Sequence, residues 1–377
     1  MNVWRRTLVF RKLAVASLLV AVVALVAPTV LPASVARAAQ VVQETGERSK
    51  PNVVILATGG TIAGSAATDT QAGYESGQVG VDVLISAVPE LARLADITGE
   101  QISNIGSQDM SDAVWLQLAR RINELLATDA VDGIVITHGT DTLEETSYFL
   151  NLVVESPKPV VMTAAMRPST ALSADGPLNL YNAVAVAADP NAIGRGVLVV
   201  ANDDIHGARD VTKTNTTGVA TFKSPLSGLI GETLYGINNY FRSPYKRHTV
   251  NSGLRVEGVE ALPRVDIIYA SAGMSADLID ATVALGAQGL VVAGVGNGNM
   301  TSAALEALGR ARQNGVLCVR STRVPTGAVG RNVEIDDDAL GLVASGSLNP
   351  AKSRVLLKLA LLHPMNPKEV QELFDIY

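Results

Sequence analysis

Short β-branched runs separated by stretches of helical periodicity constrain this chain more than any other feature. Residues 53–57, 134–137, 160–163 and 197–201 are runs of four or five residues that are apolar but for a closing threonine at 137 and 163. They lack the polar alternation of a strand with one face in water. Such runs form strands buried on both faces, as in parallel sheets covered by helices. Between them, residues 111–127 place Val114, Leu118, Ile122 and Leu125 three or four positions apart, on one helix face. Ser111 is the expected N-cap of that helix. The texture changes after Lys223. To about residue 263 the chain is rich in Gly, Asn, Ser and Tyr, which reads as a hairpin region followed by a linker. Strands then resume at 265–270, 290–293 and 316–319, with helices at 302–313 and 351–362. The expected fold is therefore α/β. A larger N-terminal domain (residues 50–240) carries a mostly parallel sheet flanked by helices, a linker covers 241–263, and a smaller α/β domain covers 264–377.

The first residues read as a leader rather than as part of this fold. Arg5, Arg6, Arg11 and Lys12 precede an apolar run of 15 residues, 13–27. That is shorter than the roughly 20 residues that span a bilayer. Pro28, Pro32 and the sequence Ala36-Arg37-Ala38 follow. Basic head, apolar middle and A-x-A site describe a secretory signal peptide over residues 1–38, cut after Ala38. An uncleaved anchor is the alternative. The expectation is an exported protein, periplasmic or secreted, with no membrane attachment after cleavage. Removing the leader's five basic residues leaves 25 Lys and Arg against 36 Asp and Glu, a net charge of -11. An acidic chain without a basic patch is not built for nucleic acid.

Several chemistries are excluded by what the sequence lacks. A hydrophobic fraction of 47% rules out a disordered chain. The single cysteine, Cys318, rules out an intrachain disulfide and any CxxC pair, and its apolar neighbours make it a core residue. Four scattered histidines without HExxH give no catalytic zinc motif. There is no Gly-Lys dipeptide for a Walker A loop, no GxGxxG and no GxSxG elbow.

What remains is polar residues where strands end. The first strand runs into Thr58-Gly59-Gly60-Thr61-Ile62-Ala63-Gly64. Its glycines permit positive φ and close backbone approach, presenting Thr61 and main-chain N–H groups at the sheet edge. An ordinary βα turn uses the same residues. A later strand delivers Thr137-His138-Gly139-Thr140-Asp141-Thr142, followed by Glu144 and Glu145 in the first turn of a helix, where the macrodipole favours acids. Thr140 or Asp141 is either a cap for that helix or a functional group. His138 reads as a satisfied strand-end histidine. Ser107, Gln108 and Asp109 precede the Ser111 helix and offer either ligand contacts or turn chemistry. Lys213 is a lone lysine among β-branched and polar residues. It acquires chemistry only if it packs against Asp141, where a desolvated amine can accept a hydroxyl proton.

Together these segments identify a family. The chain from about Pro51 to Tyr377 resembles the bacterial type II L-asparaginases, the secreted members of the asparaginase/glutaminase family. The most specific segments are Ala57-Thr-Gly-Gly-Thr-Ile-Ala-Gly64 and Ile136-Thr-His-Gly-Thr-Asp-Thr142. Gly106-Ser-Gln-Asp-Met110, Ala165-Met-Arg-Pro168, Asp210-Val-Thr-Lys-Thr-Asn-Thr216 and Gly294-Val-Gly-Asn-Gly-Asn299 accompany them in order. Thr322-Arg-Val-Pro-Thr-Gly327 and Ser347-Leu-Asn-Pro-Ala-Lys-Ser-Arg354 fit as well. The resemblance implies hydrolysis of L-asparagine to L-aspartate and ammonia, with a variable activity on L-glutamine and no cofactor or metal. It implies Thr61 as nucleophile forming a β-acyl-enzyme, assisted by Tyr74. Thr140, Asp141 and Lys213 form a second polar triad, and Ser107, Gln108 and Asp141 hold the α-amino and α-carboxylate groups. Asn299 and Glu334 complete a neighbouring subunit's site, within a homotetramer. The lone Cys318 departs from those secreted relatives that carry an intrachain disulfide.

The chemistry is consistent with these roles. An amide is a poor electrophile and a threonine hydroxyl a poor nucleophile, so covalent catalysis needs a base and preorganised oxyanion donors. A small zwitterion needs a carboxylate for its ammonium, which suits Asp141, and hydroxyl and N–H donors for its carboxylate, which suit the Ser107 segment. Residues 63–80, rich in Gly, Ala, Ser and Thr, read as a lid that carries Tyr74. A secreted amino-acid-binding protein without turnover is the rival reading, separated by ammonia release.

Overall fold

The computed structural model describes residues 50–65, 67–68 and 75–377. The leader and Tyr74 lie outside the described residues. The main sheet is built from β1 (Asn52–Gly59), β2 (Asp96–Ile105), β3 (Gly133–Thr137), β4 (Val160–Thr163) and β5 (Val197–Ala201), all parallel. Three antiparallel strands extend it: β6 (Asp204–Gly207), β9 (Gly231–Leu234) and β10 (Ile237–Tyr240). Its order is β10-β9-β6-β5-β4-β3-β1-β2. Between β6 and β9 a separate ribbon pairs β7 (Thr212–Lys213) with β8 (Phe222–Lys223). The hairpin expected after Lys223 is β9–β10, turned by Tyr235 and Gly236, both at positive φ (49° and 83°). Two such residues give the twist a tight hairpin needs.

Side chains on the central strands divide by alternation between two cores, as the pleat requires. Val54, Leu56, Ile134, Ile136, Val160 and Met162 face one side, where helices α2 (Asp112–Leu126) and α3 (Leu143–Val153) cover them. Val53, Ile55, Ala57, Val135 and Val161 face the other, beneath α1 (Val81–Ser86) and α4 (Gly176–Ala187). The Ser111 side chain caps α2 by accepting from Val114 N at 3.4 Å. The buried stripe of α2 is nevertheless rotated from the expected face. Trp115, Leu118, Ala119, Ile122 and Leu126 are buried, while Val114 and Leu125 stand at the margin. Trp115 decides this: its ring stacks on Phe149 of α3 at 5.1 Å and its Nε1 donates to Thr146 Oγ1 at 2.8 Å. A large aromatic with a satisfied N–H outweighs a partly exposed valine.

The second sheet is parallel throughout: β11 (Val265–Tyr269), β12 (Gly289–Gly294), β13 (Leu317–Thr322) and β14 (Val343–Ala344), in that order. Helices α5 (Asp277–Ala284) and α6 (Ser302–Gln313) cover one face, and α7 (Asp337–Leu340) follows β13. Helices α8 (Pro350–Ala360) and α9 (Pro367–Ile376) join the other face to the core beneath α3, so the hydrophobic interior is continuous between the two sheets. Cys318 is fully buried, and burial pushes its thiol up to about 12, as expected of a core residue.

Candidate active site

Strand order places the site. Because β1 lies between β2 and β3, the chain leaves β1 in one direction for β2 and then crosses to the other side for β3. Parallel sheets open a crevice at such a reversal, beyond the carboxyl ends of the strands. The loops after β1, β2 and β3 carry Thr61, Ser107 with Gln108, and Thr140 with Asp141. Segments far apart in sequence are therefore neighbours.

Glycines let these loops touch. Gly59 and Gly60 have φ of 108° and 82°. A Cβ on Gly60 would sit 2.3 Å from Gly139 N, and one on Gly139 would sit 2.5 Å from Ser107 Oγ. Gly60 N donates to Ile105 O at 2.9 Å, Asp141 N to Ser107 Oγ at 3.1 Å, and the Thr142 hydroxyl to Ser107 O at 2.7 Å. Thr61 opens a short 3-10 turn, Thr61–Ala63, and is buried, as are Ser107 and Thr140. Gln108 and Asp141 are exposed. The N-cap of α3 is Thr142, so neither Thr140 nor Asp141 serves as its cap.

Lys213 joins this group. Its Nζ donates to Thr140 Oγ1 at 2.9 Å and to Asp141 Oδ1 at 2.6 Å. The second oxygen of Asp141 takes no hydrogen bond from a described residue, and its side chain is 59% exposed. The lysine is not a solvated surface group. Its strand, β7, is held by Glu144 and Lys352, to which the sequence assigns no part in the site. Glu144 Oε2 accepts from Thr212 Oγ1 at 2.5 Å and from Lys213 N at 2.7 Å, and Glu144 Oε1 accepts from Asn349 Nδ2 at 2.7 Å. Lys352, fully buried, donates through Nζ to Arg209 O at 2.8 Å and to Val211 O. Burial brings its ammonium down to about 8, against the opposing pull of Glu144 and Asp210. The signal for Glu144 was present only as an acid in a first helical turn, where the dipole already accounts for it.

His138 donates from Nδ1 to Gly139 O at 2.7 Å and is wholly buried, which lowers it to about 4. The ring is therefore neutral near pH 7, and its buried Nε2 has no hydrogen-bond partner among the described residues. The loop after β1 closes on itself where Ser65 and Glu75 exchange main-chain hydrogen bonds of 3.0 Å, and Ser169 Oγ donates to Gly64 O at 2.8 Å.

Asn299 and Glu334 occupy loops at the carboxyl edge of the second sheet. They hydrogen-bond to each other, through Asn299 Nδ2 and Glu334 Oε2, rather than to Thr140, Asp141 or Lys213. A buried ion pair organises both loops. Arg320 donates to both Asp337 oxygens (2.5 and 2.7 Å) and to the carbonyls of Asn297 (3.0 Å), Gly298 (3.3 Å) and Gly330 (3.1 Å). Every guanidinium N–H has an acceptor, which a buried arginine needs.

Among the described residues no group of three His, Cys, Asp or Glu side chains has metal-ligand spacing. A groove of about 740 Å³ lined by Arg120, Glu124, Lys158 and Glu257 contains none of the site residues.

Comparison with known proteins places the chain in a family. Residues 52–246 match the family model "Asparaginase, N-terminal", and residues 264–374 match "Glutaminase/Asparaginase C-terminal domain". The chain is 54% identical to the "Probable L-asparaginase periplasmic" of Haemophilus influenzae, over 86% of this chain and 93% of that protein. It is 53% identical to "L-asparaginase 2" of Escherichia coli, over 87% and 93% of the two chains. To the "Glutaminase-asparaginase" of Pseudomonas fluorescens it is 45% identical, over 90% and 94%. A crystal structure described as a probable cytoplasmic L-asparaginase from Campylobacter jejuni superposes with a TM-score of 0.85 at 45% identity, covering 87% of this chain and all of that one. With both family domains matched in order around the glycine-bordered threonine loops, the chain belongs to the asparaginase family.

Proposed function

We propose that this protein hydrolyses L-asparagine to L-aspartate and ammonia, with Thr61 as nucleophile. The Thr61 hydroxyl attacks the side-chain carboxamide carbon, the C–N bond breaks, and the nucleophile's proton leaves with ammonia. Water then cleaves the β-acyl-enzyme ester, releasing L-aspartate and restoring the hydroxyl. Tyr74 and the Thr140–Lys213–Asp141 group carry protons, and main-chain N–H groups of the glycine-bordered loops stabilise the oxyanion. Asp141 holds the substrate ammonium through its second oxygen, with Ser107 and Gln108 at the α-carboxylate. The observation that carries this reading is the contact of Lys213 with Thr140 and Asp141 beside the Thr61 turn. An amine seated between a hydroxyl and a carboxylate at a crevice is an arrangement for moving protons.

L-glutamine is a second substrate, because one methylene changes pocket fit by only about 1–3 kcal/mol. The relatives carry names of both kinds, and kcat/KM for the two amides fixes the ratio. We further propose export with cleavage after Ala38, which N-terminal sequencing checks. The periplasmic name of the Haemophilus influenzae relative supports this, whereas the Campylobacter jejuni structure is described as cytoplasmic. The domain division at residues 241–263 is also proposed.

Thr61→Val removes one hydroxyl at nearly constant volume. Ammonia release from L-asparagine is expected to fall at least about a thousandfold with the fold retained. Near-normal release would reject Thr61 as nucleophile. Wild-type protein that binds either amide without releasing ammonia would instead establish the binding protein.

A further inference from the structure

The ammonium of Lys213 must meet Thr140 and Asp141 within a few tenths of an ångström, yet its backbone belongs to a two-residue strand. β7 pairs only with β8, outside both large sheets. An isolated two-stranded ribbon is marginal in water and cannot fix a position by its own hydrogen bonds. The long aliphatic stem of lysine adds further freedom. Something else must set where this side chain begins.

We infer that Glu144 is the positioning residue for Lys213, held in turn by Asn349 at the start of α8. Glu144 stands three residues after Asp141 and four after Thr140, in the first turn of α3. One short segment therefore presents both partners of the lysine ammonium and the acceptor of the lysine main-chain N–H. The bonds from Lys213 N (2.7 Å) and Thr212 Oγ1 (2.5 Å) end on Oε2, and the bond from Asn349 Nδ2 (2.7 Å) ends on Oε1. Asn349 cannot turn its amide over, because its Oδ1 caps α8 by accepting from Lys352 N at 2.9 Å. The Lys213 N–H is likewise a fixed donor. Both oxygens of residue 144 must therefore accept, which a carboxylate does and an amide does not. Lys352 acts in the same sense on the chain just before β7, through the carbonyls of Arg209 and Val211. Helix α8 thus secures the ribbon that carries Lys213.

This inference rests on the proposed role of Lys213, and the experiment separates the two. Glu144→Gln, Thr212→Val, Lys213→Met and the double variant Glu144→Gln/Lys213→Met are assayed for kcat and KM on L-asparagine, with thermal unfolding alongside. Glu144→Gln is expected to lower kcat about 10- to 100-fold while KM moves less than about threefold, since a displaced group costs turnover more than binding. Thr212→Val, which removes one donor at constant shape, should lose about threefold in the same direction. In the Lys213→Met background, Glu144→Gln should change the residual kcat by less than about twofold, because a residue acting through the lysine has nothing left to position. Wild-type kcat in Glu144→Gln, or equal losses in both backgrounds, would overturn the inference. If Glu144→Gln does not fold, Thr212→Val in both backgrounds decides by the same criterion. Lys213→Met at wild-type kcat would remove the underlying role itself, and the inference with it.

Discussion

At the scale of single residues, two histidines that do no proposed chemistry set a pH limit on the fold. Burial holds His138 at about 4 and His206 at about 3, the latter with further depression from Lys223 and Lys352. Asp204 stands 3.9 Å from His206 Nε2, beyond hydrogen-bond reach, and does not offset the burial. In the unfolded chain both rings titrate near 6.5. Below that pH the unfolded state binds protons that the folded state refuses, so stability falls as pH falls from 6.5 toward 4 and is fully present above 6.5. At pH 5 each ring costs about 2 kcal/mol. The thermal midpoint is therefore expected to drop between pH 7 and pH 5, and less so in His206→Gln. An unchanged midpoint would show that the rings charge freely in the native state. His138 was expected as a satisfied strand-end histidine, and this holds for Nδ1 alone, because the buried Nε2 has no hydrogen-bond partner among the described residues. Glu144 was not legible as a partner of Lys213, because the residues it binds are remote in the chain.

At the scale of elements, the buried parallel strands were readable and the edge was not. β3, β4 and β5 are apolar on both faces and announce themselves. β2 runs along the sheet edge with its residues only half-buried or exposed, so its sequence, Asp-Ile-Thr-Gly-Glu-Gln-Ile-Ser-Asn-Ile, carries no continuous apolar signal. The turn between β1 and Thr61 is where an element becomes a site. Gly60→Ala would place a methyl 2.3 Å from Gly139 N at a φ of 82°. The backbone conformation alone, with ψ of -174° in a region open essentially to glycine, costs about 1–3 kcal/mol, and the contact must open the two threonine loops. Turnover of L-asparagine is expected to fall at least about tenfold. Gly80→Ala, where nothing lies within 4 Å, is the control. Equal activity in the two variants would show that close loop contact is dispensable.

For the whole molecule, the second sheet raises the question of assembly. Arg320 and Asp337 spend a buried ion pair on shaping the loops of Asn299 and Glu334, which bond to each other and not to the Lys213 group. We propose that this pair completes the site of a neighbouring subunit in a homotetramer. Activity measured on size-resolved fractions tests it: a demonstrated monomer should be inactive, and full activity in a monomer would reject the shared site.

The sequence by itself determined the α/β class, the runs that become central strands, and the hydroxyls and carboxylates that stand at their ends. Those features depend on local burial and turn geometry, which leave a period or a glycine in the chain. Only the tertiary structure decided that β1 lies between β2 and β3, that Lys213 reaches Thr140 and Asp141, and that Glu144 and Asn349 hold it there. These depend on which distant segments pack together, and a contact of one carboxylate with a remote main-chain N–H leaves no periodicity to read.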